Sequence, residues 1–369
     1  MLTILLFILI LSFLVMIHEL GHFVMAKRAG IGVEEFGFGL PPRLWGKKYK
    51  GTIYSFNWLP FGGFVRLVGE DPTDKRKDAK NSFQVKSLWQ RTKVVLAGVT
   101  MNLLVAVVIF YAVIMALGFR VNLPLLFDHR FRFVEQTKQV LISDISPGGV
   151  ADKAGIKIGD SIIGADGQKI AVIDELQGFI RNSEGRNVVL TIENPVNNQT
   201  RQVTVAPQYS EALKAPAIGV GLGELVSLRY ETWWQKLFAG AIHSYNTAEY
   251  SLVIFGKLIG YEIVKGDISP VSEGVSGPVG IARITQEAVA MGPVSVLQLV
   301  ALLSLNLAIM NVLPIPALDG GRFFFLAVEA ITRRKPKPVF EKWVHTVGFV
   351  VLIGLIVLIT YNDVLKLVR

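Results

Sequence analysis

The sequence predicts a polytopic α-helical membrane protein, with four transmembrane helices and an α+β domain inserted between the second and the third. Three observations carry this. Of the 369 residues 51% are hydrophobic, and they gather in runs long enough to cross a bilayer instead of spreading through a soluble core. The net charge of +9 is uneven: across residues 27–93, fourteen Lys or Arg face six acids. Those charges flank apolar runs, so they read as a membrane orientation signal and not as a nucleic-acid surface. Finally, the stretch after the second run breaks into short β-rich segments separated by turn signals.

Residues 1–26 form the first span. No basic residue precedes the apolar run, and Lys27 and Arg28 follow it, which predicts a retained helix with its N-terminus outside instead of a cleaved signal peptide. Residues 27–92 are then a cytoplasmic loop, and residues 93–118 return across the membrane. Within residues 130–208, QVLISDIS, NVVLTIE and RQVTVAP read as strands and residues 173–180 as a helix. Residues 231–265 carry Lys236, His243, Glu249, Lys257 and Glu262 beside apolar residues at helical spacing, which predicts an amphipathic helix on the membrane surface. A fifth span there would put the basic cluster of Arg333, Arg334, Lys335 and Lys337 on the wrong side. Residues 294–313 form the third span, broken by the prolines of LPIPALDGG, and residues 344–361 the fourth.

Cysteine is absent, which excludes disulfides, thiolate metal sites and cysteine nucleophiles. A metal site must therefore use His, Asp or Glu. HELGH occupies His18 to His22 inside the first span. Residues i and i+4 share one helix face, so both imidazoles reach a single Zn²⁺, and Glu19 is placed to act as general base. Each ionisable group at mid-helix costs about 2.5–3.5 kcal/mol on insertion scales, and a bound cation compensates that cost. A third ligand is needed. His129 and His243 lie in extracytoplasmic segments and His345 begins the last span. Asp319 is the better candidate, because it follows the third span at the cytoplasmic end, the end at which HELGH lies in the first.

HELGH in a first span, NxxPxPxLDGG after a late one and an inserted soluble domain together resemble the site-2 protease family of intramembrane zinc metalloproteases, the bacterial RseP type. The match covers essentially the whole chain. It implies one Zn²⁺ held by His18, His22 and Asp319, with Glu19 as catalytic base, in a bacterial cytoplasmic membrane. It also implies substrates that are single-pass membrane proteins, such as anti-sigma factors or signal-peptide remnants. SPGGVADKAGIKIGDSIIGADGQKI resembles a PDZ domain, which implies a peptide ligand or, equally, a spacer that filters substrates by size. FGGFVRLVGE is similar to the family's short membrane-associated β-hairpin, whose edge residues Gly63, Phe64, Val65 and Arg66 would pair with an unwound substrate. Asn306 and Asn311 match polar positions of the family, either binding substrate or bonding between helices. GVTMN, residues 98–102, resembles a helix-packing motif. Two departures stand out: one PDZ domain where well-known relatives have two, and Arg322 where many have His. The rival reading is a non-enzymatic PDZ-bearing membrane receptor or scaffold. A metal transporter would want ionisable groups along several spans, and spans two and four carry almost none.

Overall fold

A computed structural model describes residues 2–71, 76, 78–194, 199–265 and 276–368. The chain forms two compact units, residues 1–113 with 243–369 and residues 114–242.

The first unit is built on long apolar helices. Among the described residues, four helices are long and apolar enough to cross a membrane. They are α1 (Leu2–Arg28), α2 (Leu88–Ala116), α8 (Pro293–Val312) and α10 (Pro338–Val368). Leu, Ile, Phe and Val dominate α1 ahead of HELGH, and a helix of its 27 residues is about 40 Å long, enough for a hydrocarbon core of about 30 Å. The last helix starts six residues before the expected 344. Pro338 suits a first helical position, where its missing N–H is no loss, and the polar turn with Glu341 and Lys342 extends the helix beyond its apolar run. Leu5, Leu9 and Phe13 of α1, Val108 of α2 and Val350, Val351, Val357 and Leu358 of α10 are exposed, the faces available to lipid. Inward, Ile10 and Leu14 pack on Val300, with Val105 and Ile109 alongside.

Between α1 and α2 lie β1 (Val33–Tyr49) and β2 (Thr52–Leu67). Both bend, and their register makes a four-segment sheet. Residues 35–38 are flanked by residues 63–66 running antiparallel and by residues 53–56 running in step, and residues 43–49 close the far side against 52–57. Glu35 sits buried at the bend, bound by both arms of Arg43 at 2.9 and 2.7 Å. Burial pushes its carboxyl up, but hydrogen bonds from Arg43 and Ser55 and the charges of Arg43 and Arg66 outweigh it and hold it below the usual carboxylate range.

Residues 63–66 lie along α1. Ser12 donates to Pro60 O at 2.7 Å and accepts from Gly62 N at 3.2 Å, and Glu19 Oε2 accepts from Val65 N at 2.9 Å. Positions 12 and 19 lie two turns apart on one helix face, so that face fixes where the strand runs.

After α6 (Ala239–Lys265), which starts in the second unit, come α7 (Pro278–Met291), α8 and α9 (Asp319–Thr332). The N-terminus of α7 is capped from α10, where buried Asp363 accepts from Gly280 N at 2.8 Å. Arg91 of α2 makes a bidentate pair with Glu329 of α9 at 2.9 and 2.5 Å.

The second unit is an α+β fold. Its main sheet runs in the order β3 (Arg120–Leu125), β11 (Val220–Arg229), β4 (Glu135–Ile145), β5 (Ser161–Ala165), β7 (Val188–Glu193) and β8 (Thr200–Val205), with β6 (Gln168–Lys169) paired to β5. α3 (Val150–Lys153) and α4 (Ile173–Arg181) cover its core of Val140, Ile142, Ile162, Leu190 and Ile192. β3 pairs only with residues 224–229 of β11. Among the described residues, 220–223 thus have no strand on that edge, and a cavity of about 660 Å³ lies there, lined by Leu176, Ile180, Tyr209, Val220 and Leu222. β9 (Gln208–Ser210) and β10 (Ala215–Ala217) form a small hairpin beside it.

Arg91 and Glu329 are nearly buried, so removing one partner strands the other charge. Arg91→Ala should destabilise the detergent-solubilised protein by about 3–5 kcal/mol, while Arg91→Met with Glu329→Leu recovers most of that loss. Chemical unfolding of the three proteins checks it.

Candidate functional site

His18 and His22 sit one turn apart on α1, each 8% exposed. Their rings meet edge to face with centroids 4.7 Å apart, and their Nε2 atoms are 3.1 Å from one another. Asp319 arrives from the other end of the chain. α8 stops at Val312, Pro314 and Pro316 prevent its continuation, and α9 begins at Asp319, a favourable place for a carboxylate. The intervening turn is held tightly. Ala317 adopts φ 74°, a left-handed conformation that costs an alanine about 1–2 kcal/mol, and its N–H donates to His345 Nδ1 of α10 at 2.9 Å. Gly320 lies directly beneath Leu313 O and Val312 O, where any Cβ would collide. This places Asp319 Oδ2 2.9 Å from His18 Nε2 and 3.1 Å from His22 Nε2.

Those three atoms are suited to a cation. His22 Nδ1 lies 2.8 Å from Val94 O. A carbonyl oxygen only accepts, so Nδ1 carries the proton and Nε2 of the neutral ring presents a lone pair. That lone pair faces a carboxylate oxygen, and buried Asp319 Oδ2 has no hydrogen-bond partner among the described residues. Tetrahedral zinc with bonds of about 2.0–2.1 Å separates its ligands by roughly 3.3 Å, close to the observed 2.9–3.1 Å. The donor set fits Zn²⁺, and among the described residues no other group of His, Asp and Glu converges in this way.

Glu19 points with His22 and Asp319 into a cavity of about 220 Å³, also lined by Phe64, Val65, Glu70, Val94 and Arg322. Of the expected edge residues, Phe64 and Val65 therefore reach the site. Gly63 instead packs on Met16, and Arg66 lies outside with its guanidinium 5.7 Å from the Phe64 ring. Asn306 and Asn311 are partly buried on α8 and do not line the cavity. The remaining histidines lie elsewhere: His129 against Phe131, His243 against Phe110, and His345 bonded to the Ala317 turn. Arg322, one turn beyond Asp319, pairs with Glu70 at the mouth of the cavity.

Sequence reasoning missed the contribution of α2. Val94 orients His22, and one turn on, a Cβ built on Gly98 would stand 2.5 Å from His22 Nε2 and 2.6 Å from His18 Nε2. Only glycine leaves room there for two imidazoles. A signal was present, since residues 94 and 98 repeat the four-residue spacing of HELGH, but in an apolar helix that spacing also describes ordinary packing.

Two imidazoles and a carboxylate, with a second, non-ligating carboxylate beside them, make the set of groups that hydrolytic zinc sites use. The comparisons point the same way. The model of Peptidase family M50 matches residues 6–355, and the chain belongs to that family. A protein of Clostridium perfringens is 34% identical over 96% of this chain and 96% of its own. The zinc metalloprotease RasP of Geobacillus kaustophilus is 28% identical over 98% of this chain and 97% of its own. RasP of Bacillus licheniformis is 28% identical over 99% of both. Among solved structures, the PDZ domain of the SdrC-like protein from Listeria monocytogenes aligns with 22% of this chain and 85% of its own, at 19% identity and a TM-score of 0.21.

Gly98→Ala should lower bound metal well below one equivalent while the protein stays folded in detergent. Elemental analysis beside circular dichroism checks it, and a full equivalent of metal in the variant would contradict the close-packing argument.

Proposed function

We propose that this protein is an intramembrane zinc endopeptidase that hydrolyses peptide bonds in or near the transmembrane segments of membrane proteins. His18, His22 and Asp319 hold one Zn²⁺, and Glu19 is the base. The observation that carries this is the convergence of three lone-pair donors beside Glu19, in a cavity whose wall includes the edge strand of β2. When bound, zinc supplies Lewis acidity, polarising the scissile carbonyl and allowing water to react at neutral pH. Glu19 takes a proton from the attacking water as the new C–O bond forms, and delivers it to the amine nitrogen as the C–N bond breaks.

A substrate helix has its backbone hydrogen bonds satisfied internally, so it must open before its peptide bonds are accessible. Residues 63–66 are an edge at which an opened segment is held extended by strand addition. The outer part of the sheet exposes Leu44, Trp45, Trp58 and Phe61 beside Arg43, Lys47 and Lys48, a composition suited to the membrane interface. The basic residues of 27–92 and 333–337 support a cytoplasmic side for the active site, with residues 130–208 on the opposite side. We read that domain as a PDZ domain, and the unpaired edge of residues 220–223 as the place where an extracytoplasmic peptide of a single-pass substrate docks.

Glu19→Gln should retain one equivalent of zinc and lose cleavage of a reconstituted single-pass substrate by at least about 10³-fold, the larger end of what a positioned proton acceptor contributes combined with loss of water activation. Undiminished cleavage would exclude the mechanism. A parent protein that binds no metal and cleaves no substrate would favour a non-enzymatic receptor.

A further inference from the structure

Asn102 lies on α2 one turn beyond Gly98, and it is completely buried. Its Nδ2 is 3.5 Å from His18 Nδ1, while its Oδ1 is buried with no hydrogen-bond partner among the described residues. Its backbone carbonyl is separately engaged, accepting from Ser304 Oγ of α8 at 2.8 Å. An unpartnered amide oxygen in an apolar bundle is destabilising, and this one sits on the carboxamide that faces a proposed ligand.

The chemistry of the histidine supplies the missing partner. A neutral imidazole that gives Nε2 to a cation carries its proton on Nδ1 and donates there. The two ends of a carboxamide are nearly isosteric, so a half-turn about its last bond brings Oδ1 to where Nδ2 stands. That places an acceptor opposite the His18 donor and removes the orphaned oxygen in one movement. Val94 O already does the same for His22.

Resting on the zinc reading above, we infer that Asn102 is a positioning residue, whose amide oxygen accepts from His18 Nδ1–H and so fixes the tautomer and ring orientation that deliver Nε2 to the metal. Residues 94, 98 and 102 then form one stripe of α2 matched to the two histidines of α1. Val94 orients His22, Gly98 makes room for both rings, and Asn102 orients His18. What reads in sequence as a helix-packing motif is the support of the metal ligands.

The test measures zinc affinity of the full-length protein in detergent, by competition with a chromophoric chelator, and the visible spectrum of the Co²⁺-substituted protein. Asn102→Leu, close in volume but without an acceptor, should bind zinc about 10- to 100-fold more weakly and alter the Co²⁺ bands. Asn102→Asp, whose carboxylate when ionised can only accept, should keep affinity within a few-fold of the parent. Ser304→Ala breaks the helix–helix bond but leaves the amide in place, and should bind zinc like the parent. Parent-like affinity in Asn102→Leu would overturn the inference. So would an equal loss in Asn102→Asp, which would make the amide a donor or a packing element, or an equal loss in Ser304→Ala. If Asn102→Leu fails to fold, the Asp and Ser304 variants still decide. Absence of zinc from the parent protein would instead refute the metal site itself.

Discussion

Two imidazole nitrogens and a carboxylate oxygen meet within about 3 Å inside a largely apolar helical bundle. Opposed lone pairs in a low dielectric are costly without a cation between them. The arrangement persists because each group is held from behind. Val94 O sets the His22 tautomer, and the His345 bond fixes the Ala317 turn that aims Asp319. α1 and α2 approach closely enough for this only because Gly21 and Gly98 present no side chain at the contact. Small residues at such crossings are the usual means by which membrane helices pack, since lipid offers no hydrophobic drive between them. Here the same device clears the space that two histidines fill.

The third ligand poses a different problem. His18 and Asp319 are separated by most of the chain, so no local propensity brings them together. Polar contacts at one end of the bundle do that work. The bidentate pair of Arg91 and Glu329 ties α9 to α2, and Arg322 and Lys342 pair with Glu70 and Asp71 in the segment after β2. Exposed pairs such as Lys342 with Asp71 contribute little each. The nearly buried Arg91 pair is the one whose loss would release α9.

What could be read in the sequence follows from this division. HELGH declared itself because its meaning lies within one helical turn, and Asp319 followed from topology, since two residues near the same end of two spans share a depth. The four apolar helices were equally plain, because a run of Leu, Ile and Val admits few other readings in a chain of this composition. The stripe of Val94, Gly98 and Asn102 stayed hidden. Val94 acts through its carbonyl, Gly98 through the absence of a side chain, and Asn102 looks like any polar residue bonding between helices. The bent sheet was also opaque. FGGFVRL reads as half of a simple hairpin, and nothing in it says that residues 35–38 are flanked on both sides. The start of α10 at Pro338 was missed because hydropathy finds where a helix is apolar, not where it begins.

The edge strand and the base share a scaffold, and this bears on how an opened substrate would be aligned. Ser12 and Glu19 grip residues 60–65 from one face of α1, and the same helix carries both histidines. In the proposed reaction the strand that holds the substrate is therefore bonded directly to the helix that carries two metal ligands and the base. Sites built on regular elements hold their geometry better than sites on loops. Unwinding removes a substrate's internal hydrogen bonds at a depth where water is scarce, and an edge strand restores some of them as the segment opens. Because that strand is fixed to α1, the place where the proposed reaction would hold a substrate open is the place where the substrate would meet Glu19, beside the cavity wall that Phe64 and Val65 form.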